Sequence, residues 1–315
     1  MFDKSYINGN YFVSVDYNGT KLKQVLRRGE SFKPLFPDSI DLKITNSCSW
    51  GCKFCHESSH SGGKSLGMKK TIDLLSKLPK VPIEIAIGGG NVFDIPNQTY
   101  KLVKTLNRMS FLTRITVSRK DLFTHLKDKR GLCYKIFKSV GAIGISMDRY
   151  FPNPFGCRDS FDFITEFNGT PKFKGKSVFH VIIGVLPIED FKKMLKDKKD
   201  YNRILVLGFK QFGRAAKMKV EHLDEWKEVI RGLIKEQNNY KTVGFDNLAL
   251  EQLGLDEKTV SDWEHLYFGD EFSSSMYIDA VNETFAPTSR SMDRAKWSDY
   301  NENILEYFNQ NKNEY

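Results

Sequence analysis

Three cysteines stand in the run Cys48-Ser-Trp-Gly-Cys52-Lys-Phe-Cys55, with three and two residues between them. Thiolates at that spacing can wrap one face of a metal cluster, and a cubane iron-sulfur cluster that only carries electrons takes four such ligands. Three leave one iron with open coordination positions, where a substrate or cosubstrate can bind directly. Zinc also accepts three cysteines and a histidine. With His56 or His60 as fourth ligand, the run would then be a zinc-binding or redox-sensing module without catalysis. The two remaining cysteines have no partner at metal-ligand spacing. Cys133, in Gly-Leu-Cys-Tyr-Lys-Ile-Phe, reads as the buried side of a helix, and Cys157 follows a Pro-Asn-Pro-Phe-Gly turn as a stray thiol.

The elements around this loop follow from periodicity. Tyr11-Phe-Val-Ser-Val-Asp and Lys21-Leu-Lys-Gln-Val-Leu alternate around Asn18-Gly19, whose residue types suit the positive φ angles of a tight turn, so residues 5 to 35 predict a hairpin. After Pro37, short β-branched runs alternate with amphipathic stretches. The runs are Ile40-Asp-Leu-Lys-Ile-Thr, Ile83-Glu-Ile-Ala-Ile, Arg114-Ile-Thr-Val-Ser, Ala142-Ile-Gly-Ile-Ser-Met, Val178-Phe-His-Val-Ile-Ile-Gly-Val and Ile204-Leu-Val-Leu-Gly. Between them, Leu102, Leu106 and Met109 fall on one helical face with Asn97 as cap, and Leu223, Trp226, Ile230 and Leu233 form a second stripe. Strand and helix in alternation imply an α/β fold with a parallel sheet, and six units imply a partial (β/α)6 barrel of the TIM type. In such barrels chemistry sits at the carboxyl ends of the strands, which is where the cysteine loop falls. The tail reads as an α+β extension. Val243-Gly-Phe-Asp-Asn-Leu-Ala-Leu, Ser275-Met-Tyr-Ile-Asp-Ala-Val and Glu283-Thr-Phe-Ala-Pro look like strands, and a polar helix follows from about Met292. The division expected is an N-terminal extension over 1–37, a core over 38–215 and an extension over 216–315 that caps the barrel.

Cys48-x3-Cys52-x2-Cys55, with Phe54 before the last cysteine and a β/α series beginning just upstream, resembles the radical S-adenosylmethionine superfamily over residues 38 to 215. The resemblance implies one [4Fe-4S] cluster on the three thiolates, with S-adenosylmethionine chelating the open iron. Reductive cleavage then yields a 5′-deoxyadenosyl radical that abstracts hydrogen from a substrate. Ile87-Gly88-Gly89-Gly90-Asn91 closes the second strand where the family usually carries Gly-Gly-Glu, so these glycines imply close approach of the methionyl group, and Asn91 offers a neutral acceptor in place of the acid. Ser118, Ser146 and Asp148 stand at strand ends from which relatives reach the ribose. Phe54, Gly208 and Phe209 are placed to bracket the adenine. His180 and Arg214 are candidate substrate contacts, His180 also reading as a hydrogen-bonded core histidine. Gly244-Phe-Asp246-Asn247 and Pro287-Thr288-Ser289 echo an extension that holds auxiliary clusters in peptide-modifying relatives, but its cysteines are replaced, so a single cluster and a peptide or protein substrate are expected.

Composition limits the alternatives. The 315 residues carry 40% hydrophobic side chains, enough for a large core, and a net charge of +9. The 48 basic residues divide into 35 lysines and 13 arginines. Phosphate and base recognition favours arginine, so the excess favours docking of an acidic one-electron donor such as flavodoxin or ferredoxin over a nucleic-acid-modifying enzyme. The densest lysine cluster, Phe191 to Asp200, reads as the solvated face of a helix. No apolar run approaches a membrane span and no signal-like segment opens the sequence, so a cytoplasmic protein is expected.

Overall fold

A computed structural model describes residues 2–16, 21–126, 128–148, 175–196, 201–260, 263–267 and 269–313. The six predicted runs form strands β4 (Ser39–Thr45), β5 (Glu84–Gly89), β6 (Leu112–Ser118), β7 (Ala142–Met147), β8 (Ser177–Ile182) and β9 (Arg203–Leu207), each parallel to the next. Residues in parallel register share a face of the sheet. One face presents Ile40, Leu42, Ile85, Ile143, Phe179 and Ile204, all at most 1% exposed. It shares its core with helices α1 (Met68–Leu75), α2 (Pro96–Arg108), α3 (Arg119–Leu126), α4 (Leu132–Ser139), α5 (Ile188–Lys196) and α6 (Leu223–Lys235). Phe191 of α5 stacks on Trp226 of α6 at 5.1 Å, and Cys133 is buried on α4. The α2 helix opens with Pro96 rather than with an Asn97 cap, because proline lacks only a donor that the first turn leaves unbonded.

The opposite face is polar. Asp41, Lys43, Glu84, Arg114, Thr116, Ser118, Ser146 and His180 lie on it, and Asp41 and Thr116 are exposed although they sit within inner strands. That face is therefore open to water. The sheet also curls, since Asp246, just past β10, acts electrostatically on Asp41 in the middle of β4. The loops beyond β9 and β4 meet as well, the Arg214 backbone N–H donating to the Cys55 carbonyl at 3.1 Å.

The tail adds strands at both edges. Strand β10 (Thr242–Phe245) pairs with β9, and β11 (Ser275–Asp279) pairs with β4, both in parallel. Then β12 (Thr284–Ala286) and β13 (Ala295–Lys296) continue antiparallel. The order is β10-β9-β8-β7-β6-β5-β4-β11-β12-β13, an open sheet of ten strands rather than a closed one. The expected strand from Val243 to Leu250 stops at Phe245. There the Asp246 side chain accepts the Ala249 N–H at 2.8 Å and starts helix α7 (Asn247–Leu253). A short helix α8 (Trp263–Leu266) follows. The closing helix α9 (Ile304–Asn311) begins later than Met292, capped by Asn303.

The N-terminal element is a three-stranded sheet that contains the expected hairpin and one further strand. Strand β2 (Tyr11–Asp16) pairs with β3 (Lys21–Val25) as expected, and also with β1 (Phe2–Asn8). The signal for β1 was Gly9-Asn10, a two-residue turn with Gly9 at φ +62°. The predicted Asn18-Gly19 turn and Cys157 lie outside the described residues, as do residues 197–200 of the lysine cluster. This small sheet closes the amino end of the large one. Asp38 accepts from Tyr11 at 2.6 Å, from Asn8 at 2.8 Å and from Tyr6 at 3.2 Å, and pairs with Lys23 at 2.8 Å. Lys21 and Arg114 flank Glu84, at 3.3 and 3.0 Å.

Candidate active site

The cysteine loop leaves the carboxyl end of β4 and is held by its own backbone. Asn46 N–H donates to the Lys64 carbonyl, His60 N–H to Asn46, and Cys48 N–H to His60, so residues 46–48 and 60–64 run together as a stem. Two of the three glycines that close β5 are required by that stem. A Cβ on Gly89, at φ +111°, would lie 2.4 Å from the Thr45 carbonyl oxygen, and one on Gly90 2.1 Å from that of Ser47. Gly90 and Asn91 donate their N–H groups to Thr45 and Ser47 at 2.6 and 2.8 Å. Gly88 has open space where a side chain would project. The glycine run thus docks the loop with two members and leaves a bare backbone surface at the third.

A polar strap fixes the segment between the first two cysteines. Asp94 accepts from Ser49 N–H at 2.7 Å and from Ser49 Oγ at 3.0 Å. Asp121, in the first turn of α3, accepts from Trp50 Nε1 and from Ser118 Oγ, both at 2.8 Å. Asn91 lies between them and donates Nδ2 to Asp94 at 3.1 Å and to Asp121 at 3.4 Å, while its Oδ1 accepts from Phe93 N–H at 3.0 Å. Burial pushes the Asp121 carboxyl up, against the pull of these donors. Ser118 takes the Asp121 N–H in return, at 3.0 Å. Asn91 and Ser118, read from sequence as ligand contacts, therefore both have protein partners here.

Arg214 holds the far side. Its guanidinium donates to the Cys52 carbonyl at 2.9 Å and to the Ser59 carbonyl at 2.7 Å. Phe54 packs with Phe209, Val185 and Ala215 in a small apolar cluster separate from the main core, so the two aromatics expected at one ligand are brought together. The backbone around Phe209 is occupied: Asp246 accepts Gly208 N–H and Gln252 accepts Phe209 N–H, both at 2.8 Å. A Cβ on Gly208 would strike Leu248 at 2.4 Å, which explains that glycine by packing. Asp148 is buried close enough to Cys52 to raise its thiol pKa. Ser146 stands in register between Ser118 and His180. The His180 ring lies over Gly144, where any Cβ would be 2.3 Å from it, and it has no hydrogen-bond partner among the described residues. Burial and Arg114 depress its pKa to about 4, so it is neutral at physiological pH.

The three thiols are unpaired and half-buried. Desolvation is the main cause that raises Cys48 and pushes Cys52 up to about 12, and the neighbouring cysteines add to both shifts. The sulfurs thus lie within electrostatic reach of one another, and a cationic cluster is what would let them ionise together. Among the described residues, no three cysteine, histidine or acidic side chains form a group that could hold a single metal ion. His60 is exposed, and His56 faces Glu57 at 3.6 Å, its pKa lowered to about 4 by burial and the nearby Lys210. The donor set the loop offers to a metal group is three free thiols, with two histidines nearby.

Sequence reasoning missed a charge network behind the loop. Lys43 bridges Glu57 at 2.5 Å and Asp279 at 3.2 Å, Tyr277 donates to Glu57 at 3.1 Å, and Arg294 reaches Asp279 at 3.3 Å. Lys43 is the signal that was available: a charged residue inside an apolar strand needs a buried partner. The partner's place on β11 was not legible.

No protein-family model matches the chain, and no curated protein matches it. Solved structures do. The crystal structure of Streptococcus suis SuiB bound to S-adenosylmethionine superposes with a TM-score of 0.63 at 11% identity, over 97% of this chain and 86% of that one. SuiB bound to the precursor peptide SuiA gives 0.60 at 15% identity, over 88% of this chain and 65% of that one, so this chain spans less than two thirds of that second structure. The likeness establishes the fold. It runs through the N-terminal sheet and the tail as well as the β/α series, since the first superposition covers nearly the whole chain. Among the described residues no helix is long and apolar enough to cross a membrane.

Proposed function

We propose that this protein is a radical S-adenosylmethionine enzyme acting on a peptide or protein substrate. The observation that carries the reading is three unpaired, half-exposed thiols on one loop at the carboxyl end of β4, in a fold shared with an S-adenosylmethionine-bound structure. Cys48, Cys52 and Cys55 would hold one [4Fe-4S] cluster. When bound, such a cluster would supply the electron that cleaves S-adenosylmethionine into methionine and a 5′-deoxyadenosyl radical able to take hydrogen from a substrate.

The protein's own share is positioning. The strap through Asp94, Asn91 and Asp121 and the clamp through Arg214 hold the cysteine backbone still. The bare surface at Gly88 suits a methionyl group, and Phe54 with Phe209 gives an apolar wall for an adenine. With Asn91 Oδ1 bound to Phe93, the amino contact would use the second lone pair of that oxygen, a weaker acceptor than a carboxylate. The curled sheet, read as the partial barrel, encloses the reaction space, and residues 38–215 are the unit that carries the chemistry. Exposed Lys53, and Lys120 over the Trp50 ring at 4.3 Å, make a positive rim suited to an acidic electron donor. A peptide substrate is supported by the fold's likeness to a peptide-bound structure.

Anaerobic reconstitution with iron and sulfide tests this. A brown protein that releases 5′-deoxyadenosine with dithionite supports the proposal. A colourless protein that takes up zinc instead and leaves S-adenosylmethionine intact overturns it.

A further inference from the structure

The acids that face the concave side of the sheet differ in one respect. Glu84 is paired with Lys21 and Arg114, Asp279 with Lys43 and Arg294, and Glu57 with Lys43 and Tyr277. Asp246 caps α7 and takes the Gly208 N–H. Asp41 has no hydrogen-bond or ion-pair partner among the described residues. It is exposed in the middle of β4, in register between Ala86 of β5 and Tyr277 of β11. Its surroundings raise its pKa, first by displacing solvent and then through Glu84 and Asp246, with Lys210 opposing. Lys210 is directed elsewhere, donating to Ser289 Oγ at 2.7 Å.

We propose that Asp41 is a substrate-recognition residue, whose unpaired carboxylate receives a cationic group, an ammonium or a guanidinium, from the molecule that enters the concavity. This rests on the concavity being the reaction space. An accessible carboxylate with no protein partner can take a charge-assisted hydrogen bond from a cationic ligand, stronger than one between neutral groups. Glu84, Glu57 and Asp279 are paired with protein bases and Asp246 is taken up by backbone N–H groups, so a cation that enters finds Asp41 without a protein partner. The occupant is thus set by charge.

The test uses the anaerobically reconstituted full-length protein and three small probes: N-acetyl-lysine methylamide, N-acetyl-arginine methylamide and the neutral N-acetyl-norleucine methylamide. Binding is followed by ligand-observed NMR in wild type, Asp41→Asn and Asp41→Glu. Wild type should bind at least one cationic probe about tenfold or more tighter than norleucine, a preference that Asp41→Asn abolishes and Asp41→Glu keeps. Equal binding of cationic and neutral probes by wild type, or an undiminished preference in Asp41→Asn, would overturn the proposal. Failure of S-adenosylmethionine cleavage is a separate readout and would sink only the proposed reaction.

Discussion

The two ends of the parallel strands are built from similar polar material and resolve it in opposite ways. At the amino end, Asp38 receives two tyrosine hydroxyls, an amide and an ammonium, and is 1% exposed. Nothing is left over for a ligand. At the carboxyl end, backbone groups and acids strap the cysteine loop, yet the thiols themselves and Gly88 are left uncommitted. Saturation marks the stabilising end, and unsatisfied chemistry marks the end where the proposed site lies.

Substitutions can break that contrast. Replacing Cys48, Cys52 or Cys55 singly by alanine should drop cluster iron and 5′-deoxyadenosine release to background while leaving the melting curve of the metal-free protein nearly unchanged; Cys133→Ala should do the reverse in kind, costing stability but not iron. Asp38→Ala should cost about 3 kcal/mol of folding free energy, because it strands a buried set of donors, with cluster loading preserved in the folded fraction. The pH dependence follows from the sign of the shift. Lys23 and the donors hold the Asp38 pKa below its ordinary 3.8. Its contribution is therefore complete above the unfolded value and is lost as pH falls through the folded one. Wild type should lose stability below about pH 4 more steeply than Asp38→Ala in acid titrations of unfolding.

Gly90→Ala tests whether loop docking depends on contact. The new methyl would meet the Ser47 oxygen, so about 2 kcal/mol of destabilisation and poor iron retention are expected. Asp121→Ala removes the partner of Trp50 and Ser118 without touching a cysteine. Iron affinity measured by chelator competition should fall about tenfold, as when supporting groups around a metal site are removed. The smallest effect is at Asp41. Its raised pKa means that the ionised carboxylate opposes folding above its unfolded value, so Asp41→Asn should raise the melting temperature slightly at neutral pH. A fall instead would place Asp41 among the stabilising residues and blur the division between the two ends.

What could be read without coordinates was local. The six β-branched runs became strands near their expected limits because alternating apolar residues can be buried only one way. Periodicity failed where a single side chain overrode it, as when Asp246 capped a helix inside an apolar run. It was also blind to β1, whose buried Tyr6 and Asn8 look polar until Asp38 is known to face them.

The spacing of the three cysteines by itself determined that they share one loop, because seven residues of chain hold their ends within about 24 Å. The glycine run after β5 was likewise visible, but its work was not. Only the tertiary structure decided that Arg214 would clamp a loop more than 150 residues earlier in the chain. It also decided that Gly89 and Gly90 would seat the cysteine stem, and that Lys43 would find Asp279 on a strand from the tail. These partners meet through strand order and register, long-range pairings that burial selects and that no local pattern encodes.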